Sequence, residues 1–86
     1  MSDLIGVIET TVAMEELGEL TQALGKYNRL ILGDETLRKD MCDIYQMIKE
    51  EIADVEICLE KLKKINNIEE HEIQVIKNYK LNRLNK

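Results

Sequence analysis

Four acidic residues stand where a helical chain ordinarily carries apolar side chains. Read at about 100° per residue, Glu16 and Glu19 lie about 60° apart, flanked on the same side by Val12, Leu20, Ala23 and Tyr27. Glu51 falls between Ile44, Met47 and Cys58, inside the apolar arc of its segment, and Asp54 sits at the edge of that arc. A carboxylate that faces a core must be protonated, paired with a base or bound to a cation, because burying it ionised and alone is costly. Spacing by itself decides little. With 17 acids in 86 residues, random placement gives about three acidic pairs at i,i+3, and the chain has Glu16/Glu19, Asp40/Asp43, Glu51/Asp54 and Glu69/Glu72. The face separates them. Asp40 and Asp43 point away from the apolar arc, and Glu69 and Glu72 fall at a helix N-terminus, where the dipole favours acids.

If the two segments pack antiparallel, Glu16 and Glu19 face Glu51 and Asp54, and several carboxylate oxygens surround one point. Such a point attracts a hard divalent cation: Mg²⁺, with Mn²⁺ as the ready substitute. Zn²⁺ fits poorly without His or Cys ligands. A di-iron bundle needs Glu-x-x-His pairs, and the single histidine, His71, follows Ile68 at that spacing. The C-terminus has the opposite sign. Lys77, Lys80, Arg83 and Lys86 occur there without an acid, whereas residues 1–76 hold 17 acids and 8 bases, a net −9. Lys77 and Lys80 share a side with Ile73 and Leu84, so this patch is expected to face the acidic cleft and contact phosphates.

These residues need helices to hold them. Apolar positions recur at helical spacing from Val12 to Ile31 behind a cap at Thr10 or Thr11, and Gly33 closes the segment. The spacing predicts a first helix over 11–32, with residues 1–7 a loose arm or short first turn. A second helix is expected over 35–65, ended by Asn66 and Asn67, and a third over 69–84. The expected fold is all-α, one domain over 1–86, an antiparallel helical bundle completed by oligomerisation, because so short a chain buries little of its own surface. No stretch reaches the roughly 20 apolar residues that cross a bilayer, and the acidic start lacks the basic flank of a signal peptide. A cytoplasmic protein without membrane contact is expected. Cys42 and Cys58 are 16 positions apart in one helix, which makes them free thiols, Cys58 buried and Cys42 on the polar side. The net charge of −5 argues against nucleic acid as a partner.

Glu15-Glu16-Leu17-Gly18-Glu19-Leu20 followed by Glu50-Glu51-Ile52-Ala53-Asp54-Val55 resembles the paired EExxE and ExxD helix motifs of the MazG-like all-alpha nucleoside triphosphate pyrophosphohydrolases. Lys80-Leu81-Asn82-Arg83-Leu84 is similar to the basic stretch near the end of small phage and bacterial members, so the resemblance spans roughly residues 12–84. It implies that Glu16, Glu19, Glu51 and Asp54 bind Mg²⁺ and serve catalysis, that Glu15 and Glu50 assist from behind them, and that Lys80 and Arg83, with Lys77, meet phosphates. The implied reaction cleaves a nucleoside triphosphate between its α and β phosphates. The implied assembly is a homodimer or homotetramer. Tyr27, on the metal-facing side of the first helix, is the candidate for stacking on a base. The chain is shorter than is usual for that family and has no clear fourth helix.

The competing account pairs the four carboxylates with lysines across the bundle and treats the terminal bases as partners of the helix dipole. On that account the chain is a non-enzymatic helical dimer, an adaptor or regulator that offers an acidic surface to a basic partner.

Overall fold

The structure, a computed structural model, describes residues 2–34 and 40–85, with side chains from Gly6 onward. Among the described residues it is all-helical: α1 (Ser2–Ile31), α2 (Met41–Ile65) and α3 (Glu70–Leu84). The first helix begins at Ser2, nine residues before the expected start at residue 11. Thr10 and Thr11 lie inside it, where their hydroxyls donate to the carbonyls of Gly6 at 2.6 Å and Val7 at 2.8 Å. A threonine can cap a start or bond back four residues, and here the back-bond lets the helix run on toward the N-terminus.

Both long helices end in the same way. Gly33 has φ +80°, the Gly33 N–H donates to the Leu30 carbonyl and the Asp34 N–H to that of Arg29. Asn67 has φ +56°, with matching bonds from Asn67 to Lys64 and from Ile68 to Lys63. Each is a Schellman closure, which needs a left-handed residue and so selects glycine or asparagine. The Arg29 guanidinium and the Asp34 carboxylate pair at 2.8 Å across the first of them.

The second helix starts at Met41 rather than at residue 35. Asp40 is extended, and its side chain accepts from the Asp43 N–H at 2.9 Å, a cap typically worth about 1 kcal/mol. Residues 35–39 of the expected helix lie outside the described residues. At the third helix Glu69 is the N-cap, and its N–H donates to the Glu72 carboxylate at 2.8 Å. Both acidic pairs set aside from the sequence therefore work as local helix-start chemistry.

Only α1 and α2 pack along their length. They form an antiparallel hairpin: Glu16 and Glu19 meet Asp54 and Glu51, and two turns further along α1 Tyr27 meets Tyr45, ring centroids 6.0 Å apart. The core between them is narrow. Ala13 and Ala23 from α1 and Ile44, Val55 and Cys58 from α2 are buried. Small residues on α1 let the backbones approach, and Ile44, fully enclosed, fills the space between. Leu17, Leu24 and Ile31, expected in the core stripe of α1, are exposed instead. No residue of α3 is buried, and only Ile73 is half-covered. The third helix is tethered at its first turn, where Lys63 bridges Glu60 at 3.0 Å and Glu70 at 2.6 Å.

Candidate metal centre

Glu16, Glu19, Glu51 and Asp54 come together in the α1/α2 seam. One carboxylate oxygen from each can be chosen so that all four lie within 4.8 Å of one another. On both helices the i,i+3 step places the two acids one turn apart, and the antiparallel register sets the turns side by side. Glu16 and Glu51 point into the seam and are partly covered, whereas Glu19 and Asp54 are exposed at its mouth. One oxygen each of Glu16 and Glu51, the Oε2, is enclosed and has no hydrogen-bond partner among the described residues.

Electrostatics follow from this crowding. Loss of water raises the Glu16 pKa above its ordinary 4.5, and the charges of Glu19, Asp54 and Glu51 push it further the same way. Glu51 is raised first by loss of water and then by Glu19, Asp54 and Glu50. Among the described residues no lysine or arginine forms an ion pair with either group. The pairing with bases that the competing account requires is therefore not formed within one described chain at Glu16 or Glu51.

An acidity prediction follows, with a definite sign. Glu16 and Glu51 hold their protons more tightly folded than unfolded, so the stability they contribute is complete below 4.5 and is lost as pH rises through their raised values. Glu70 is the reverse: the Lys63 hydrogen bond lowers its pKa, and its contribution is lost as pH falls below 4.5. Melting curves in EDTA should therefore shift to higher temperature on acidification from neutrality toward 4.5, then fall at lower pH. A melting temperature that declines steadily from neutrality downward would contradict the crowded cluster.

The donor set suits a hard cation. Four carboxylates without nitrogen or sulfur match Mg²⁺ or Mn²⁺. Around an octahedral Mg²⁺ adjacent oxygens are about 3.0 Å apart and opposite ones about 4.2 Å, so four oxygens within 4.8 Å of one another would be drawn closer by an ion held between them.

The remaining expected residues are distributed differently. Glu15 and Glu50 are exposed beside the cluster; Glu50 accepts from Gln46 at 3.2 Å. Tyr27 is half-covered in the seam against Tyr45, a partner the sequence reading overlooked. A tyrosine on each helix near the connecting turn, at matching positions of the antiparallel register, was the available signal. The bases do not join the carboxylates within one chain. Lys77 lines an open groove with Ala53, Glu56, Ile57, Leu59 and Glu60 of α2, residues about 80–180° around that helix from Glu51. Lys80, Arg83 and Leu84 border a shallow hollow of their own near the end of α3, and the Arg83 guanidinium lies over the Tyr79 ring, 5.8 Å from its centroid. The third helix thus sits on the side of α2 away from the cluster, and the expectation that its bases face the acidic cleft is not met in the single chain. His71 is exposed and lies 3.0 Å from Glu69.

No family model matches this chain, and no curated protein and no solved structure matches it. Among the described residues no helix is long and apolar enough to cross a membrane.

Proposed function

We propose that the chain is a Mg²⁺-dependent nucleoside triphosphate pyrophosphohydrolase of the MazG-like kind, working as a homo-oligomer that completes the bundle. The observation that carries this reading is the convergence of Glu16, Glu19, Glu51 and Asp54, with enclosed and unpartnered oxygens on Glu16 and Glu51. A cluster of negative charge with no base paired to it among the described residues is costly to keep, and ligation gives it a use.

In this reading the four carboxylates hold Mg²⁺, or Mn²⁺ in its place. When bound, such an ion supplies charge stabilisation on phosphate oxygens and a more acidic water. The chain's own groups do the rest. Glu16 and Glu51 are fixed by the seam and set the depth of the site; Glu19 and Asp54 stand at its mouth, where a triphosphate arrives. A carboxylate of the cluster not engaged as a ligand takes the proton of the attacking water. The water oxygen bonds to the α phosphorus, the bond from that phosphorus to the bridging oxygen breaks, and pyrophosphate leaves a nucleoside monophosphate behind. Glu15 and Glu50 add negative potential beside the ligands. Tyr27 and its neighbour Tyr45 offer ring faces to a base. Lys77, Lys80 and Arg83 remain the proposed phosphate contacts. Because α3 lies on the far side of α2, that contribution is made by the α3 of a neighbouring copy.

The test is an incubation of the purified chain with nucleoside and deoxynucleoside triphosphates, dUTP among them, in Mg²⁺ or EDTA. The expected result is monophosphate and pyrophosphate in Mg²⁺ alone. Absence of monophosphate from every substrate refutes the activity and leaves the acidic adaptor as the better account.

A further inference from the structure

On both helices of the hairpin the acidic pair is followed by a basic pair at the same distance. Glu16 and Glu19 of α1 precede Lys26 and Arg29, and Glu51 and Asp54 of α2 precede Lys61 and Lys64. Each position of the first set recurs 35 residues later in the second: 16 and 51, 19 and 54, 26 and 61, 29 and 64. Lys26 stands seven residues after Glu19, and Lys61 seven after Asp54. Seven residues are about 10.5 Å of helix and return to within about 20° of the same direction. Both lysines therefore lie on the side of the seam where Glu19 and Asp54 form the mouth. Their Cα–Cβ bonds tilt toward the N-terminus of each helix, which is back toward the carboxylates. Neither lysine has an acid three or four residues away on its own helix to hold it elsewhere.

Because the hairpin is antiparallel, the two basic pairs flank the cluster at opposite ends, and they are not equivalent. Arg29 is bound to Asp34 at 2.8 Å. Lys61 and Lys64 form no ion pair among the described residues. With Glu9 and Ile65 they line a hollow of about 320 Å³. Glu9 is the acid of that hollow and pairs with neither lysine. Two bases against one acid leave the hollow positive, one lysine side chain and a short gap from a cluster suited to a hard cation. A ligand that meets both must carry several negative charges along its length, as a chain of phosphates does.

We infer that Lys61 and Lys64 hold the β and γ phosphates of the triphosphate and keep them as pyrophosphate once the bond from the α phosphorus to the bridging oxygen breaks. The inference rests on the pyrophosphohydrolase reading above and gives the substrate a direction: phosphates toward the Lys61 end of the seam, nucleoside toward Lys26 and Tyr27. These contacts come from the chain's own α2 and need no second copy.

Calorimetry with inorganic pyrophosphate in Mg²⁺ should show binding to the wild type. The Lys61→Gln/Lys64→Gln double variant should bind it at least about tenfold more weakly. Lys49→Gln removes the same kind of charge from an exposed lysine about 160° around α2 from Glu51, and should bind as the wild type does. In steady-state assays the double variant should raise both KM for the triphosphate and the inhibition constant of pyrophosphate by a similar factor, with inhibition by monophosphate unmoved. Acetylation of the wild-type lysines needs no variant: pyrophosphate with Mg²⁺ should protect Lys61 and Lys64 and leave Lys49 reactive. Absence of pyrophosphate binding, equal weakening by Lys49→Gln, or unprotected Lys61 and Lys64 overturns the subsite. A wild type that holds pyrophosphate at these lysines yet releases no monophosphate keeps the subsite and refutes the hydrolase. Monophosphate release with KM and pyrophosphate inhibition unchanged in the double variant keeps the hydrolase and overturns the subsite.

Discussion

Glu51→Gln is expected to raise the melting temperature of the metal-free chain while lowering Mg²⁺-dependent turnover by at least about 100-fold. The two effects have one origin. Glu51 crowds against Glu19 and Asp54 and keeps one enclosed oxygen without a partner. Glutamine preserves the shape, removes one negative charge and brings an amide that can donate to the neighbouring carboxylates. The cluster becomes satisfied without a cation and loses a ligand for one. Melting curves with and without Mg²⁺ read both sides: wild type should gain stability with the ion, and the variant should start higher and gain little. A variant that melts lower than wild type in EDTA, or that keeps the full Mg²⁺ response, contradicts the role given to Glu51. A stabilising change at a functional position is the usual sign that function is held against stability.

Ile44→Ala should remove about 2–5 kcal/mol, the largest loss expected from one core truncation in this chain. Ile44 is the only large side chain fully enclosed among the described residues, in a core whose contributions from α1 are mostly alanine. Total stability for 86 residues is about 4–13 kcal/mol, so the truncation takes a large part of it. Chemical denaturation monitored by circular dichroism gives the value. A loss under about 1 kcal/mol would mean that the seam is looser than the burial of Ile44 indicates.

The site was more legible in the sequence than the elements that hold it. Glu51 betrayed itself by its angle among Ile44, Met47 and Cys58, because a helical period fixes direction even where boundaries are uncertain. The same arithmetic put Glu16 and Glu19 beside it once an antiparallel turn was assumed. The ends of the helices were harder. Thr10 and Thr11 looked like caps, yet a hydroxyl that caps and one that bonds back to residue i−4 are the same group in the sequence. Asp40 was read as a solvent-facing acid, whereas its hydrogen bond to Asp43 starts α2. Leu17, Leu24 and Ile31 fit a helical stripe, but helical spacing does not tell which part of an apolar arc α2 covers, and these three stay exposed. The placement of α3 was not legible at all. Its direction depends on the left-handed turn at Asn67 and the Lys63 bridge to Glu70, which local patterning does not report, and so the side from which Lys77 approaches α2 could not be derived.

Diffraction from crystals soaked in Mn²⁺, recorded at the manganese absorption edge, tests the inward carboxylates most directly. The expected result is an anomalous peak between Glu16, Glu19, Glu51 and Asp54, with oxygens from both helices drawn onto it. Crystals with ordered carboxylates and no peak there, or with the four groups turned outward or matched by lysines of a neighbouring chain, would contradict the account.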